Sequence, residues 1–141
     1  MLIILTTLLW TLLLPRCEAE YVTYRHTEPQ FEVEYTMFYG RGVDFVAMTV
    51  QCAHQDESGH SVSMELRDYF SLDGPVKSFD FPRNSVSVVD RDRLRRFRGD
   101  INVACGKRLQ SRDLENMFVR EHDLDSTLLS EKAVFHEVRR Y

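Results

Sequence analysis

The sequence predicts a mainly β chain, folded as an antiparallel β-sandwich that one disulfide staples. Three observations carry this expectation. Apolar residues recur at period two in several segments, turn residues interrupt them every 8 to 12 positions, and two cysteines fall at the inward phase of such segments.

The first segment is FEVEYTMFY, residues 31–39, which sets Phe31, Val33, Tyr35, Met37 and Tyr39 against Glu32, Glu34 and Thr36, a half-buried strand. Gly40 and Gly42 punctuate it. In VDFVAMTVQC, Val46, Met48, Val50 and Cys52 share one face of a second strand. HQDESGH, residues 54–60, is a polar turn, and SVSMELRDY returns with Val62, Met64 and Leu66 against Ser63, Glu65 and Arg67. Asp73, Gly74 and Pro75 predict a turn, after which VKSFDF and SVSVV are short β-rich runs. INVAC, residues 101–105, alternates Ile101, Val103 and Cys105, which predicts a strand carrying the second cysteine. After Cys105, Leu114, Met117 and Phe118 fit helical spacing, and NMFV, residues 116–119, fits a strand equally. Val134, Phe135 and Val138 lie at helix-like offsets and predict a short C-terminal helix within residues 128–138.

The chain opens MLIILTTLLWTLLLPRCEAE, an apolar run followed by Pro15 and a small Ala19, which is the layout of a signal peptide cleaved after Ala19. The run is shorter than the roughly 20 residues that cross a bilayer. No later stretch is apolar enough to span a membrane. Cleavage leaves 122 residues, enough for one domain with its own core. The expected organisation is a leader at 1–19, a sandwich domain at 20–123 and a tail at 124–141. With Cys17 removed, Cys52 and Cys105 form an even pair, read as one disulfide of an extracellular protein. No asparagine begins an Asn-x-Ser/Thr acceptor.

No catalytic residue, metal site or cofactor is expected. The five histidines are scattered, with neither HExxH nor a paired arrangement, and no nucleophile sits beside a base. A disulfide-bonded Cys52 is no thiolate ligand for a metal. Nothing in the pattern points to nucleic acid.

Charge is polarised instead. Residues 91–112 hold eight basic side chains against Asp92 and Asp100, so this segment is +6 and the rest of the chain is near −10. Within it, Arg93, Arg95, Arg96 and Arg98 are the candidate binding residues for an acidic protein or glycosaminoglycan. They are expected on an exposed, mobile connection, so that changing all four to Ser would leave the melting temperature nearly unchanged. The same arginines satisfy a proprotein convertase pattern, cutting between Arg96 and Phe97. Arg98, Gly99 and Asp100 spell an integrin tripeptide, read as incidental. Gly106, Lys107 and Arg108 match an amidation signal, but Gly106 is better explained as a position needing backbone freedom.

The cysteine contexts carry a likeness. MTVQC, residues 48–52, followed by SVSMEL, and then ACGKRLQSRDLENMFVRE, residues 104–121, together resemble the ZP-N domain, the amino-terminal half of the zona pellucida module. The stretch covered is about residues 43–123, and the chain is most similar to secreted proteins with a lone ZP-N, such as the placenta-specific and oocyte-secreted proteins. Cys52 and Cys105 match the family's first and fourth cysteines, which pair; its second and third have no counterpart here. The resemblance implies an immunoglobulin-like sandwich used for extracellular protein recognition, in egg coats or other reproductive settings. Trp10 lies in the leader, so the mature chain lacks the tryptophan that immunoglobulin domains pack against their disulfide. The functional expectation is a secreted, non-enzymatic recognition module; the alternative is a hormone-like precursor cut after Arg96.

Overall fold

In the computed structural model, which describes residues 20–39, 45–77 and 82–141, eight antiparallel strands close into a barrel in sequence order. They are β1 Glu20–Glu28, β2 Phe31–Tyr39, β3 Phe45–Gln55, β4 Ser61–Lys77, β5 Pro82–Val86, β6 Asn116–Arg120, β7 Asp123–Leu128 and β8 Glu131–Arg140. The last strand returns to the first, with Val22 opposite Arg140 and Arg25 opposite His136. This overturns the immunoglobulin-like β-sandwich. Period two reports which side chains are buried, and one-sided burial reads the same in a sandwich and a barrel; only the partner of the final strand separates them. The predicted leader, its cleavage after Ala19, and Gly40 and Gly42 lie outside the described residues.

The inward faces of β2 and β3 are those the sequence predicts, whereas Val62 and Met64 of the third predicted strand, expected inward, are partly exposed. Phe31, Val33, Tyr35 and Met37 point inward from β2, and Val46, Met48, Val50 and Cys52 from β3. Tyr24, Phe70, Leu72 and Phe135 join them inside. An eight-stranded barrel has an interior that side chains can fill, and each large apolar one buried there contributes about 1.5–3 kcal/mol. The turn between β3 and β4 is built on Asp56, whose Oδ1 accepts from the N–H groups of Ser58 at 3.0 Å and His60 at 2.8 Å. Gly59 there takes a positive φ of 81°.

β4 decides how the barrel closes. It runs 17 residues; Ser61 to Ser71 pair with β3, and Leu72 to Lys77 pair with β5. The turn expected at Asp73, Gly74 and Pro75 is a register irregularity inside this continuous strand, between Asp73 and Val76. Gly74 supplies the positive φ of 105° that such a bulge uses. As a result the first half of β4 has β3 on one side and no described strand on the other.

A helix, α1 Arg91–Cys105, packs against β3 and β4. Leu94, Phe97 and Ile101 form its buried stripe, spaced i, i+3 and i+7 as a helix face requires. Asp92 favours the positive end of the helix dipole, and Gly106, at φ 62°, ends the helix in the left-handed conformation. The freedom expected at Gly106 is thus a helix cap. The strand predicted at residues 101–105 is the last turn of this helix, with Val103 pointing to solvent. Cys105 nevertheless reaches Cys52, with Cα atoms 5.6 Å apart, so the disulfide pins the end of α1 to the end of β3.

The C-terminal helix expected within residues 128–138 is also corrected. Leu129 and Ser130 make a positive-φ turn, and β8 sends Ala133 and Phe135 inward at period two. Residues 124–141, set apart above as a tail, carry β7 and β8 and complete the barrel. The loop from α1 to β6 is held by buried Asp113. Its Oδ2 accepts from the N–H of Gln110 at 2.6 Å, and its Oδ1 from the N–H of Ser130 at 2.9 Å.

Candidate functional site

The four candidate arginines do not form one face. Arg93 folds back over β4, donating to the carbonyl of Tyr69, with its guanidinium carbon 5.3 Å from the Phe70 ring centre. It also lies 3.4 Å from Asp90 and 3.8 Å from Asp68. Arg95 bonds Asp92 on the exposed side of the helix at 3.0 Å. Arg96 is exposed. Arg98 is buried, and its Nη1 donates to the carbonyl of Asp113 at 2.9 Å. Burial pulls this guanidinium below its ordinary value, and the carboxylates of Glu115 and Asp113 oppose the shift.

The stretch is therefore helical, where an exposed mobile connection was expected. Two of its arginines hold α1 in place. The Arg96 to Phe97 bond lies inside the helix with the Phe97 ring buried, so a protease that needs an extended substrate requires local opening first. In the integrin tripeptide, Arg98 faces the interior while Gly99 and Asp100 face solvent.

A different surface is assembled by strand register. In β2, Glu32, Glu34 and Thr36 take the outward phase, and Phe38 continues it. Tyr21 of β1 lies opposite Phe38, and Phe38 opposite Phe45 of β3. The Tyr21 and Phe38 rings meet edge to face at 4.9 Å, and Phe38 stacks on Phe45 at 4.3 Å. Each such pair adds about 0.5–1.5 kcal/mol beyond simple burial. Tyr141 exchanges backbone hydrogen bonds with Tyr21 at 2.8 and 2.9 Å, which puts the two on the same face.

The row continues onto β4. Phe45 faces Ser71, and Tyr69 stands one diagonal step away, opposite Ala47. Phe45, Tyr69, Phe70, Ser71 and Arg93 line an open depression of about 340 Å3. Beside it Ser87, whose N–H donates to the carbonyl of Ser71 at 2.8 Å, leads into a 3-10 turn with Val88 and Val89 in solvent. Aromatic side chains thus cross the outer wall on β1, β2, β3 and β4, with Tyr141 at the end of β8. Tyr21 is 39 % exposed, Phe45 38 %, Tyr69 49 % and Tyr141 76 %.

Sequence reasoning missed this row because it sorted residues by the inward phase. The available signal was an aromatic at the polar phase, as with Phe38 after Glu32, Glu34 and Thr36. Among the described residues no group of three His, Cys, Asp or Glu side chains is placed to hold a metal ion. No described helix is long and apolar enough to cross a membrane. No protein family, curated protein or solved structure matches the chain.

Proposed function

We propose that this chain is a secreted, non-enzymatic recognition module that binds a protein partner through the row of Tyr21, Phe38, Phe45, Tyr69 and Tyr141. The observation that carries the reading is the contiguity of these outward aromatics across the barrel wall. Isolated exposed apolar residues are ordinary, whereas a contiguous exposed patch marks an interaction surface. Tyrosine serves such surfaces well, because it gives a large contact area, a polar tip and little rotamer freedom to lose. The Cys52–Cys105 disulfide supports an oxidising, extracellular setting.

The test is site-specific photocrosslinking in medium from the cells that secrete the protein. A photoreactive phenylalanine at position 45 is expected to give a discrete protein adduct. The same probe at Glu57, in the β3 to β4 turn, is expected to give none. Combining the first probe with Tyr21→Ser and Tyr69→Ser should suppress the adduct. Equal labelling from both positions, or none from position 45, overturns the reading.

A further inference from the structure

The open edge of β4 has a pattern that matches itself. Ser71 turns its backbone away from β3, since its N–H donates to Asp90 Oδ2 at 2.7 Å and its carbonyl accepts from Ser87. The pairing of β3 with β4 has no irregularity between Ser61 and Ser71, so every second residue presents its N–H and C=O to the same side. Tyr69 is capped there by Arg93 on its carbonyl and Asp68 Oδ1 on its N–H. Ser61, Ser63, Glu65 and Arg67 have no described backbone partner on that side. The flanking side chains of Val62 and Met64 are each 37 % exposed.

We infer that a second copy of this chain pairs with that edge, antiparallel, about a twofold axis at Met64. This register uses all of the uncapped edge and stops where Arg93 closes it. Ser61 then faces Arg67 of the second copy, and Ser63 faces its Glu65, so each charge meets a hydroxyl that complements it. On the other face Met64 meets Met64, and Val62 meets Leu66, which removes exposed apolar surface from water. Sliding the register by one pair either way is worse. One slip sets Glu65 against Glu65, a like-charge opposition, and Ser61 against Tyr69, whose backbone groups are already taken; the other sets Ser63 against Ser63 and leaves Arg67 opposite Gly59 of the turn, outside the strand. Open edge strands are templates for this kind of pairing. The joint involves one strand from each copy, so the dimer is weak and concentration-dependent. It also carries two aromatic rows, a route to avidity for a repeated partner.

Sedimentation of the purified secreted protein over a wide concentration range tests the inference. The wild-type chain is expected to shift from monomer to dimer as concentration rises. Ser63→Pro removes an edge N–H while sparing the ladder to β3, and should raise the dimer dissociation constant by at least about tenfold. Met64→Lys and Met64→Glu should each be monomeric alone, yet dimerise when mixed, which only a Met64 to Met64 contact produces. Circular dichroism of the Met64 variants controls for folding should Ser63→Pro not fold. Phe45→Ser with Tyr69→Ser should leave dimerisation unchanged, which separates this edge from the aromatic row. A wild-type chain that stays monomeric, or Met64 variants that dimerise separately, overturns the proposal.

Discussion

Arg98 of α1 donates to the backbone carbonyl of Asp113 at 2.9 Å, which fastens the helix to the loop that leads into β6. The charge is buried and its neighbours are fixed, so truncation leaves an acceptor without its donor. Arg98→Ser should lower stability by about 2–4 kcal/mol, while Arg96→Ser, two residues away on the solvent side, should change it by less than about 0.5 kcal/mol. Urea unfolding of the two variants checks the contrast. The expectation that all four arginines are dispensable for folding reverses.

Replacing Cys52 and Cys105 together with Ser should lower stability by about 2–5 kcal/mol, because the bond closes a long loop, a 53-residue separation. The loss should be concentrated in α1, which the bond anchors at its C-terminal end. Hydrogen exchange should therefore quicken across Arg91–Cys105 more than across β1 and β2. Uniform exchange through the whole chain would be the contrary result.

How much was legible in the sequence follows from which interactions are local. β2 alternates strictly and β3 buries the face its sequence marks, and burial on one face is all that such alternation encodes. Cys52 and Cys105 were legible as a pair because only two cysteines follow the leader that the sequence predicts. Barrel closure was not legible, since it rests on β8 meeting β1 across the whole chain, which no local period records. In α1, the stripe of Leu94, Phe97 and Ile101 contains a buried arginine that reads as solvent-facing until its partner at Asp113 is known. The outward Phe38 and Tyr69 were hidden for a related reason. Alternation identifies the buried phase, and an exposed aromatic on the other phase gains its meaning only from cross-strand neighbours such as Phe45.

Alkaline pH should loosen the barrel through Tyr35. Its side chain is fully buried, and its hydroxyl lies 3.2 Å from Ser126 Oγ, which donates to the carbonyl of Asn116 at 2.7 Å. Burial holds the phenol well above its ordinary value, and the hydrogen bond with Ser126 opposes this in part. The folded state therefore prefers the protonated phenol more strongly than the unfolded chain does. That stability is complete below the ordinary phenol value of about 10 and declines as pH rises beyond it. Tyr24, also raised chiefly by burial, adds in the same direction. Denaturation midpoints measured from neutral to strongly alkaline pH should fall for wild type and fall less for Tyr35→Phe. The same variant should lose about 1 kcal/mol at neutral pH, the cost of one hydrogen bond.

The final prediction separates recognition from folding at two adjacent residues. Tyr69 and Phe70 are neighbours in β4, and the pleat sends them to opposite faces, so Tyr69 is 49 % exposed and Phe70 is 1 % exposed. Phe70 packs beside Phe97 of α1, with ring centres 5.7 Å apart, and lies under the Arg93 guanidinium. Removing it empties space in the core and unseats the helix, so Phe70→Ala should cost about 3–5 kcal/mol. Tyr69→Ser removes an outward ring whose backbone contacts with Arg93 and Asp68 stay in place, and should cost less than about 1 kcal/mol. If Tyr69 serves recognition, its variant keeps the wild-type melting temperature and loses the photocrosslinked adduct, while a mild core variant such as Val46→Ala loses stability and keeps the adduct. Thermal melts run alongside the crosslinking assay decide this: a Tyr69→Ser chain that melts far below wild type would make the row a structural feature of the wall.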